Sequence, residues 1–141
     1  YFEFKRDGIL TNLGNTNIAY SPNIVAGNNI TLTPIKSLQV SFLTKFVGKQ
    51  YMGNIDAKKS VLPDFTTSDL NITYEWKINK GIKSIVFSGL INNFFNRTYE
   101  SNGYFYTYDD NWSGPGTTTI EGAGFYPQAG INFLAGMNLK F

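Results

Sequence analysis

Cysteine and histidine are both absent from this sequence of 141 residues. Their absence excludes disulfides and thiol chemistry, and it removes the usual zinc ligands together with the commonest general base. The Asp and Glu residues are scattered, and no glycine-rich segment lies between a strand and a helix, as a phosphate site requires. We therefore expect that the protein is not an enzyme and that it has no catalytic residues, no metal and no cofactor.

Charge is also scarce, because charged residues make up 16% of the sequence and the net charge is +2, whereas soluble domains carry roughly a quarter. We expect no nucleic-acid partner from so small a net charge. No segment approaches the roughly eighteen apolar residues of a membrane helix. The mean hydropathy of −0.19 is instead typical of a transmembrane β-barrel, whose strands alternate between lipid and lumen. A soluble β-sandwich fits almost as well at this point.

Apolar residues alternate with polar ones along the chain, and no helical period is found. The third predicted strand alternates most regularly, with Leu70, Ile72 and Tyr74 on one face. The predicted strands are long, about 10 to 14 residues, whereas soluble strands have about 5–6 and tilted membrane strands about 9–11. The alternation predicts an all-β, antiparallel fold with five strands, at residues 24–33, 37–51, 67–78, 84–95 and 128–141.

The connections between these strands alternate between short turns and long loops. Outer-membrane barrels have this alternation, with short periplasmic turns and longer extracellular loops. Five spanning strands cannot close a barrel, and open edges in lipid leave backbone groups unpaired. We therefore expect the last five strands of a larger barrel at residues 23–141, extracellular loops near 52–66 and 98–127, and the end of a preceding strand plus a loop at 1–22.

Three stretches carry a family resemblance: Lys45–Tyr51, Leu90–Glu100 and Phe125–Gly130, the last followed by a strand that ends on Phe141. Together they resemble the C-terminal region of TonB-dependent outer-membrane receptors, particularly those of Bacteroidetes. One departure is Ile131, where many relatives carry Arg. The resemblance implies a barrel of about 22 strands around a plug, in the bacterial outer membrane.

By the same resemblance, the function is uptake of a scarce nutrient (a siderophore, haem, cobalamin, a glycan or a peptide) with energy delivered through TonB. The implied partners are the rest of the barrel and its plug, outer-membrane lipid, the barrel-assembly machinery, TonB and, in some relatives, a surface lipoprotein. Two alternatives remain open. One is a passive or secretion-associated barrel without a plug, and the other is a soluble carbohydrate-binding β-sandwich.

The predicted barrel strands suggest structural roles for three groups of residues. The apolar stripe of the last strand faces lipid and resembles the signal that the assembly machinery captures by strand pairing; it comprises Phe133, Met137, Leu139 and Phe141. Tyr74 and Trp76 are predicted members of an interfacial aromatic belt. A Lys facing mid-bilayer lipid costs about 2–4 kcal/mol, so we expect the lumen to be lined by Lys45, Lys49, Asp69, Asn71, Glu75 and Lys77.

The long segment 98–127 carries the candidate ligand contacts, which are Tyr104, Tyr106, Tyr108 and Trp112. Aromatic side chains on an extracellular loop can stack on a sugar, an aromatic siderophore or a corrin ring. The alternative is structural: residues 104–108 extend the neighbouring strands above the membrane as a hairpin.

Overall fold

The structure, a computed structural model, describes residues 2–141, apart from the side chains of Asn79 and Lys80. The prediction of an all-β, antiparallel fold is confirmed. Within the described residues, no helix is long and apolar enough to cross a membrane. A 3-10 helix spans Lys58–Ser60, and the strands are β1 (Phe2–Arg6), β2 (Ile9–Gly14), β3 (Val25–Ile35), β4 (Leu38–Val47), β5 (Gln50–Tyr51), β6 (Val61–Leu62), β7 (Phe65–Lys80), β8 (Ile82–Asn92), β9 (Glu100–Asp110), β10 (Thr118–Pro127) and β11 (Asn132–Lys140).

The largest sheet has five strands in the order β11-β8-β7-β4-β3, so strands that follow each other in this set are neighbours. These five strands lie where the alternation of apolar and polar residues predicted strands, because a period of two residues is the period of side chains along a strand. Two of its hairpin connections are short. Lys36 and Ser37 join β3 to β4, and Gly81, with a φ of +76°, joins β7 to β8.

Two predicted strand boundaries are wrong by four residues, and the others differ from the structure by one to three residues. The second strand ends at Val47 instead of residue 51, since the Gly48 amide donates to the Ile24 carbonyl (2.8 Å) in place of a sheet partner. The last strand begins at Asn132 instead of residue 128, since the Ile131 amide donates to the side chain of Asn96 (2.9 Å). Both boundaries are set by hydrogen bonds outside the sheet, which hydropathy alternation does not register.

The chain divides into two compact units. The five-strand unit consists of Val25–Phe46, Thr66–Thr98 and Ala129–Phe141, and the hairpin unit consists of Tyr1–Ile24, Val47–Phe65 and Tyr99–Gln128.

The hairpin unit holds three two-stranded sheets, β1–β2, β5–β6 and β9–β10. The first hairpin turns at Asp7 and Gly8, whose φ angles of +51° and +79° suit the Asp-Gly turn that the strand twist favours. Residues 2–14, where the sequence suggested only a strand end and a loop, therefore form a complete hairpin. The segment 98–127, predicted as a loop, contains β9 and β10, which pair with each other in a sheet of their own.

Candidate functional site

The five-strand sheet has one apolar face and one face on which polar and charged side chains predominate, with Val86, Leu90 and Leu134 among them. The register fixes which side chains share a face, because Tyr74 pairs with Phe87 and Phe87 pairs with Met137. Since successive side chains of a strand point to opposite faces, the remaining members follow from these pairs. Across β7, β8 and β11 the apolar face consists of Leu70, Ile72, Tyr74, Trp76, Ile85, Phe87, Gly89, Ile91, Phe133, Ala135, Met137 and Leu139.

The apolar face is open along its length. Trp76 is 53% exposed and Phe133 is 81% exposed, and the predicted assembly residues Met137, Leu139 and Phe141 are exposed as well. The buried residues of the described five-strand unit are polar: Ser68, Ser84 and Asn93. The buried hydrophobic side chains among the described residues all belong to the hairpin unit, and they are Val47, Met52, Ala57 and Leu62. The five-strand unit therefore has no hydrophobic core of its own within the described residues.

The opposite face of β7 carries Asp69, Asn71, Glu75 and Lys77, as the alternation predicted. The Glu75 carboxylate lies near the strand ends, where it accepts hydrogen bonds from the Ser84 hydroxyl (2.7 Å) and the Lys140 ammonium (3.0 Å). The Lys140 pair links β7 with β11 across β8.

The two lysines expected on this polar face have different positions. Thr44 lies on the same side of the sheet as Ser68, because their hydroxyls are 3.2 Å apart. The neighbouring Lys45 therefore points to the side of Asp69. Lys49 lies beyond the end of β4, with its ammonium 5.4 Å from the Tyr51 ring centroid. The alternation that placed Lys49 beside Lys45 therefore does not extend to it.

Two asparagines join the end of β8 to the beginning of β11. The side chain of Asn93, which is 3% exposed, donates to the carbonyls of Arg97 (2.8 Å) and Ala129 (3.1 Å) and accepts from the Arg97 amide (2.9 Å). Asn96 accepts from the Ile131 amide. Both have left-handed backbones, with φ of +49° and +50°, a conformation that Asn tolerates better than most residues. This Asn93–Asn96 cluster brings together two of the family-like stretches.

The candidate ligand contacts of β9 form an ordered row, which we call the tyrosine ladder: Tyr104, Tyr106 and Tyr108. Their rings are nearly parallel, with centroids 6.2 Å and 6.4 Å apart and interplanar angles of 16° and 15°. Tyr126 of β10 adds a fourth ring, 6.0 Å from Tyr104. The three ladder residues are 48%, 50% and 51% exposed.

Glycines on β10 allow the ladder rings to lie across the hairpin. Gly124 pairs with Tyr104 and Gly122 pairs with Tyr106. A Cβ atom at Gly124 would lie 2.5 Å from ring carbons of Tyr104, and a Cβ at Gly122 would overlap the ring of Tyr106. Each of these two rings therefore packs directly on the backbone of the neighbouring strand.

The opposite face of this hairpin is attached to the rest of its unit by polar contacts. Arg6 forms an ion pair with Glu121. The Thr119 amide donates to the Asp7 carboxylate (2.7 Å), and the Thr119 hydroxyl donates to Asp109 (2.9 Å). Asp109 is therefore engaged within the fold and lies on the face opposite to the ladder.

The turn after β9 places Trp112 apart from the ladder. Trp112 is 83% exposed. The Asp110 carboxylate accepts hydrogen bonds from the Ser113 hydroxyl and from the Trp112 amide (3.1 Å). The Ser113 bond is the main cause that lowers the pKa of Asp110, followed by the Trp112 amide. Among the described residues, no group of three or more acidic side chains is placed to hold a metal ion.

No protein-family model matches the chain, and comparison with curated proteins and with solved structures finds no similar one. The resemblance to TonB-dependent receptors therefore stays a prediction. The features of the molecule that bear on function are the two faces of the five-strand sheet and the tyrosine ladder on the hairpin.

The structure brings together Tyr104, Tyr106 and Tyr108, as their spacing of two residues allows, but Trp112 does not join them. Sequence reasoning missed three contributors: Tyr126, Gly122 and Gly124. A signal was present, since glycines at positions 122 and 124 repeat with the same spacing as tyrosines at 104 and 106. Glycine has no side chain and so does not appear in a hydropathy pattern.

Proposed function

We propose that the five-strand unit is part of the wall of a bacterial outer-membrane β-barrel, and that the protein is a nutrient transporter of the TonB-dependent type. The observation that carries the membrane assignment is the exposed apolar face of a sheet whose charged side chains lie on the other face. In this arrangement the apolar face contacts lipid, and the polar face lines the lumen beside the plug.

The energetic reason lies in the side chains of the apolar face. Fully burying one large apolar side chain is worth about 1.5–3 kcal/mol, and Phe133, Met137 and Trp76 leave most of that unrealised in water. A bilayer supplies the missing apolar surroundings without a hydrophobic core. The opposite orientation is unfavourable, because Lys45 and Lys77 would then face lipid, where a Lys costs about 2–4 kcal/mol at the midplane and less towards the interfaces.

The edges and connections of the sheet support a barrel over an isolated sheet. The edge strands β3 and β11 are exposed at every residue, and unpaired backbone groups in lipid cost several kcal/mol each. Further strands, from the same protein or another chain, would pair with both edges and close the barrel. The short connections after β3 and β7 alternate with the long ones after β4 and β8, as in barrels with short periplasmic turns.

Coupling to TonB is proposed because the three family-like stretches resemble that class of receptor. Two of those stretches contact each other, because the Asn93 side chain donates to the Ala129 carbonyl. The Asn96 side chain accepts from the Ile131 amide, directly after the second of them. The stripe from Phe133 to Phe141 would then be the strand that the barrel-assembly machinery captures.

Single-cysteine labelling tests the membrane assignment, and the absence of native cysteine makes each label unique. The full chain is inserted into lipid vesicles with Phe87→Cys or Met137→Cys on the apolar face. The matched controls are Ser88→Cys and Asn138→Cys, one residue further along the same strands on the polar face. A fluorophore on the apolar face is expected to be quenched by lipids that carry a quencher in the acyl chain. A fluorophore at either control position is expected to keep its fluorescence.

Equal quenching on both faces, or a folded monomer that stays soluble without detergent, would contradict the membrane assignment. Energy coupling needs a separate measurement. In bacteria that express the gene for this chain, uptake of the nutrient is expected to stop when the proton gradient is dissipated. Uptake that continues unchanged would indicate a passive barrel.

A further inference from the structure

The tyrosine ladder is regular enough to indicate the kind of ligand that it fits. Its three rings belong to identical residues at a nearly constant spacing of 6.2–6.4 Å and in nearly parallel planes. A strand advances about 3.3 Å per residue, so Tyr104 to Tyr108 offers a straight row about 13 Å long. A surface that repeats one chemical group at equal intervals fits a ligand that repeats one chemical unit.

The ladder is held in place before any ligand arrives. Two of its rings pack on the backbone of Gly122 and Gly124, and each ladder residue keeps about half of its surface exposed. Tyr has only two side-chain torsions, so little conformational entropy is lost when it makes contact. The arrangement therefore offers large apolar ring surfaces at low entropic cost.

The chemistry of the ladder face favours a neutral ligand with hydroxyl groups. From Asn102 to Tyr108, and from Ile120 to Tyr126, the residues on this face are uncharged. The next residue of β9 on this face is Asp110, a carboxylate that disfavours an anionic ligand and accepts hydrogen bonds from Ser113 and the Trp112 amide. The charged residue of these two stretches, Glu121, lies on the opposite face and forms the ion pair with Arg6. Each tyrosine combines an apolar ring with a hydroxyl that donates and accepts hydrogen bonds. A sugar ring matches this combination, since it presents C–H groups on its faces and hydroxyls at its rim.

The shape of the ladder argues against a compact ligand. A small chelate or macrocycle is usually bound in a concave pocket that buries most of its surface. The ladder lies on one face of a two-stranded sheet, where a compact molecule would cover one or two rings. A linear chain contacts several rings at once, and its successive weak contacts reinforce one another because they are linked.

We infer that the tyrosine ladder binds a linear, neutral oligosaccharide, with successive sugar rings stacked on Tyr104, Tyr106 and Tyr108. Tyr126 extends the same surface on the neighbouring strand. The role of the ladder as a capture site for uptake rests on the proposed function, but oligosaccharide binding itself does not depend on transport.

Native affinity electrophoresis of the full chain in detergent tests this inference. Hydroxyethyl cellulose and galactomannan serve as neutral polymers, and alginate serves as an anionic one. The chain is expected to be retarded by at least one neutral polymer and not by alginate. Tyr106→Ala should weaken binding about twofold to tenfold, since an aromatic contact is worth about 0.5–1.5 kcal/mol and 1.4 kcal/mol is tenfold.

Three further variants separate ring stacking from a general loss of structure. Tyr106→Phe keeps the ring and is expected to bind within about twofold of the unaltered chain. Gly122→Ala adds a Cβ that would overlap the Tyr106 ring, so it should weaken binding although every tyrosine remains. Thr107→Ala changes the opposite face of the same strand and should leave binding unchanged. Circular dichroism confirms that each variant retains its strands.

The inference is overturned if a folded chain is not retarded by either neutral polymer, if alginate alone retards it, or if Tyr106→Ala binds as well as Thr107→Ala. These outcomes are independent of the proposed function. Ladder-dependent retardation of a chain whose apolar face does not contact lipid would support oligosaccharide binding and refute the membrane wall. Lipid contact of the apolar face without retardation by a neutral polymer would support the membrane wall and refute oligosaccharide binding.

Discussion

The Asn93–Asn96 cluster offers the sharpest test of how this fold is held together. Asn93→Ala removes the three side-chain hydrogen bonds to Arg97 and Ala129. It also places a residue with a Cβ and no compensating polar group at a φ of +49°. The predicted result is a loss of stability in the whole connection between β8 and β11.

The magnitude follows from these two effects. Each hydrogen bond contributes about 0.5–1.5 kcal/mol net, and groups left buried and unpaired cost more. The left-handed conformation costs Ala about 1–2 kcal/mol. The sum is about 2.5–6.5 kcal/mol for Asn93→Ala. Asn93→Gly avoids the conformational part, so it should cost about 1–2 kcal/mol less, and this difference separates the two effects.

Amide hydrogen exchange of the full chain in detergent micelles measures the outcome. The reporters are the amides of Phe94 and Ile131, which donate to Ser68 and to Asn96 and not to Asn93. A loss of 3 kcal/mol corresponds to exchange faster by about a hundredfold. The control Asn28→Ala changes an exposed residue of β3 and should cost less than about 0.5 kcal/mol. Unchanged exchange at both reporters in Asn93→Ala would refute the reasoning.

Two further predictions concern the hairpin unit. Gly103→Ala would press a Cβ against a backbone carbonyl of β10 and a methionine sulfur, so it should lower the free energy of unfolding by about 1–3 kcal/mol. The control Gly89→Ala, in the five-strand unit, meets nothing within 4 Å and should leave that free energy almost unchanged. Urea unfolding in micelles measures both. Ser113→Ala should raise the pKa of Asp110 towards its ordinary value of 3.8, because the Ser113 hydroxyl is the main cause of its lowering. Because the pKa of Asp110 is lowered in the folded protein, the ionised carboxylate stabilises the fold fully at pH values above its ordinary pKa. This stabilisation is lost as the pH falls through the lowered pKa. Carboxyl titration by NMR is the measurement, and an Asp110 pKa that does not change in Ser113→Ala would contradict the assignment.

The five-strand sheet could be predicted from sequence because its signal is local. Along β7, side chains from Asp69 to Lys77 alternate without interruption, and the sheet order follows the chain order, so neighbouring strands need no long-range information. The ends of β4 and β11 could not be predicted in the same way. They depend on the hydrogen bonds of Gly48 and Ile131, whose acceptors lie 24 and 35 residues away in sequence.

The ladder could be predicted only in part, for a related reason. The repeat of Tyr104, Tyr106 and Tyr108 is visible in the sequence, but the partner of a strand inside a long loop is not. The register between β9 and β10 brings Gly122 opposite Tyr106, and this pairing turns three exposed tyrosines into an ordered surface. A hydropathy pattern does not identify the glycines on which the rings pack, because glycine has no side chain that reads as apolar or polar.

The five-strand unit reverses the usual distribution of side chains, and this reversal bears on its surroundings more directly than any family resemblance does. Its buried residues are Ser68, Ser84 and Asn93, whereas Phe133 and Met137 are exposed. In water, such a sheet would expose a continuous apolar surface, which soluble monomers rarely tolerate. In a bilayer the same sheet presents apolar side chains to lipid and keeps Lys45, Glu75 and Lys77 on the other side, where water fills a lumen. This distribution supports the proposed membrane environment, in which both faces would have favourable surroundings and the edge strands β3 and β11 would need partners.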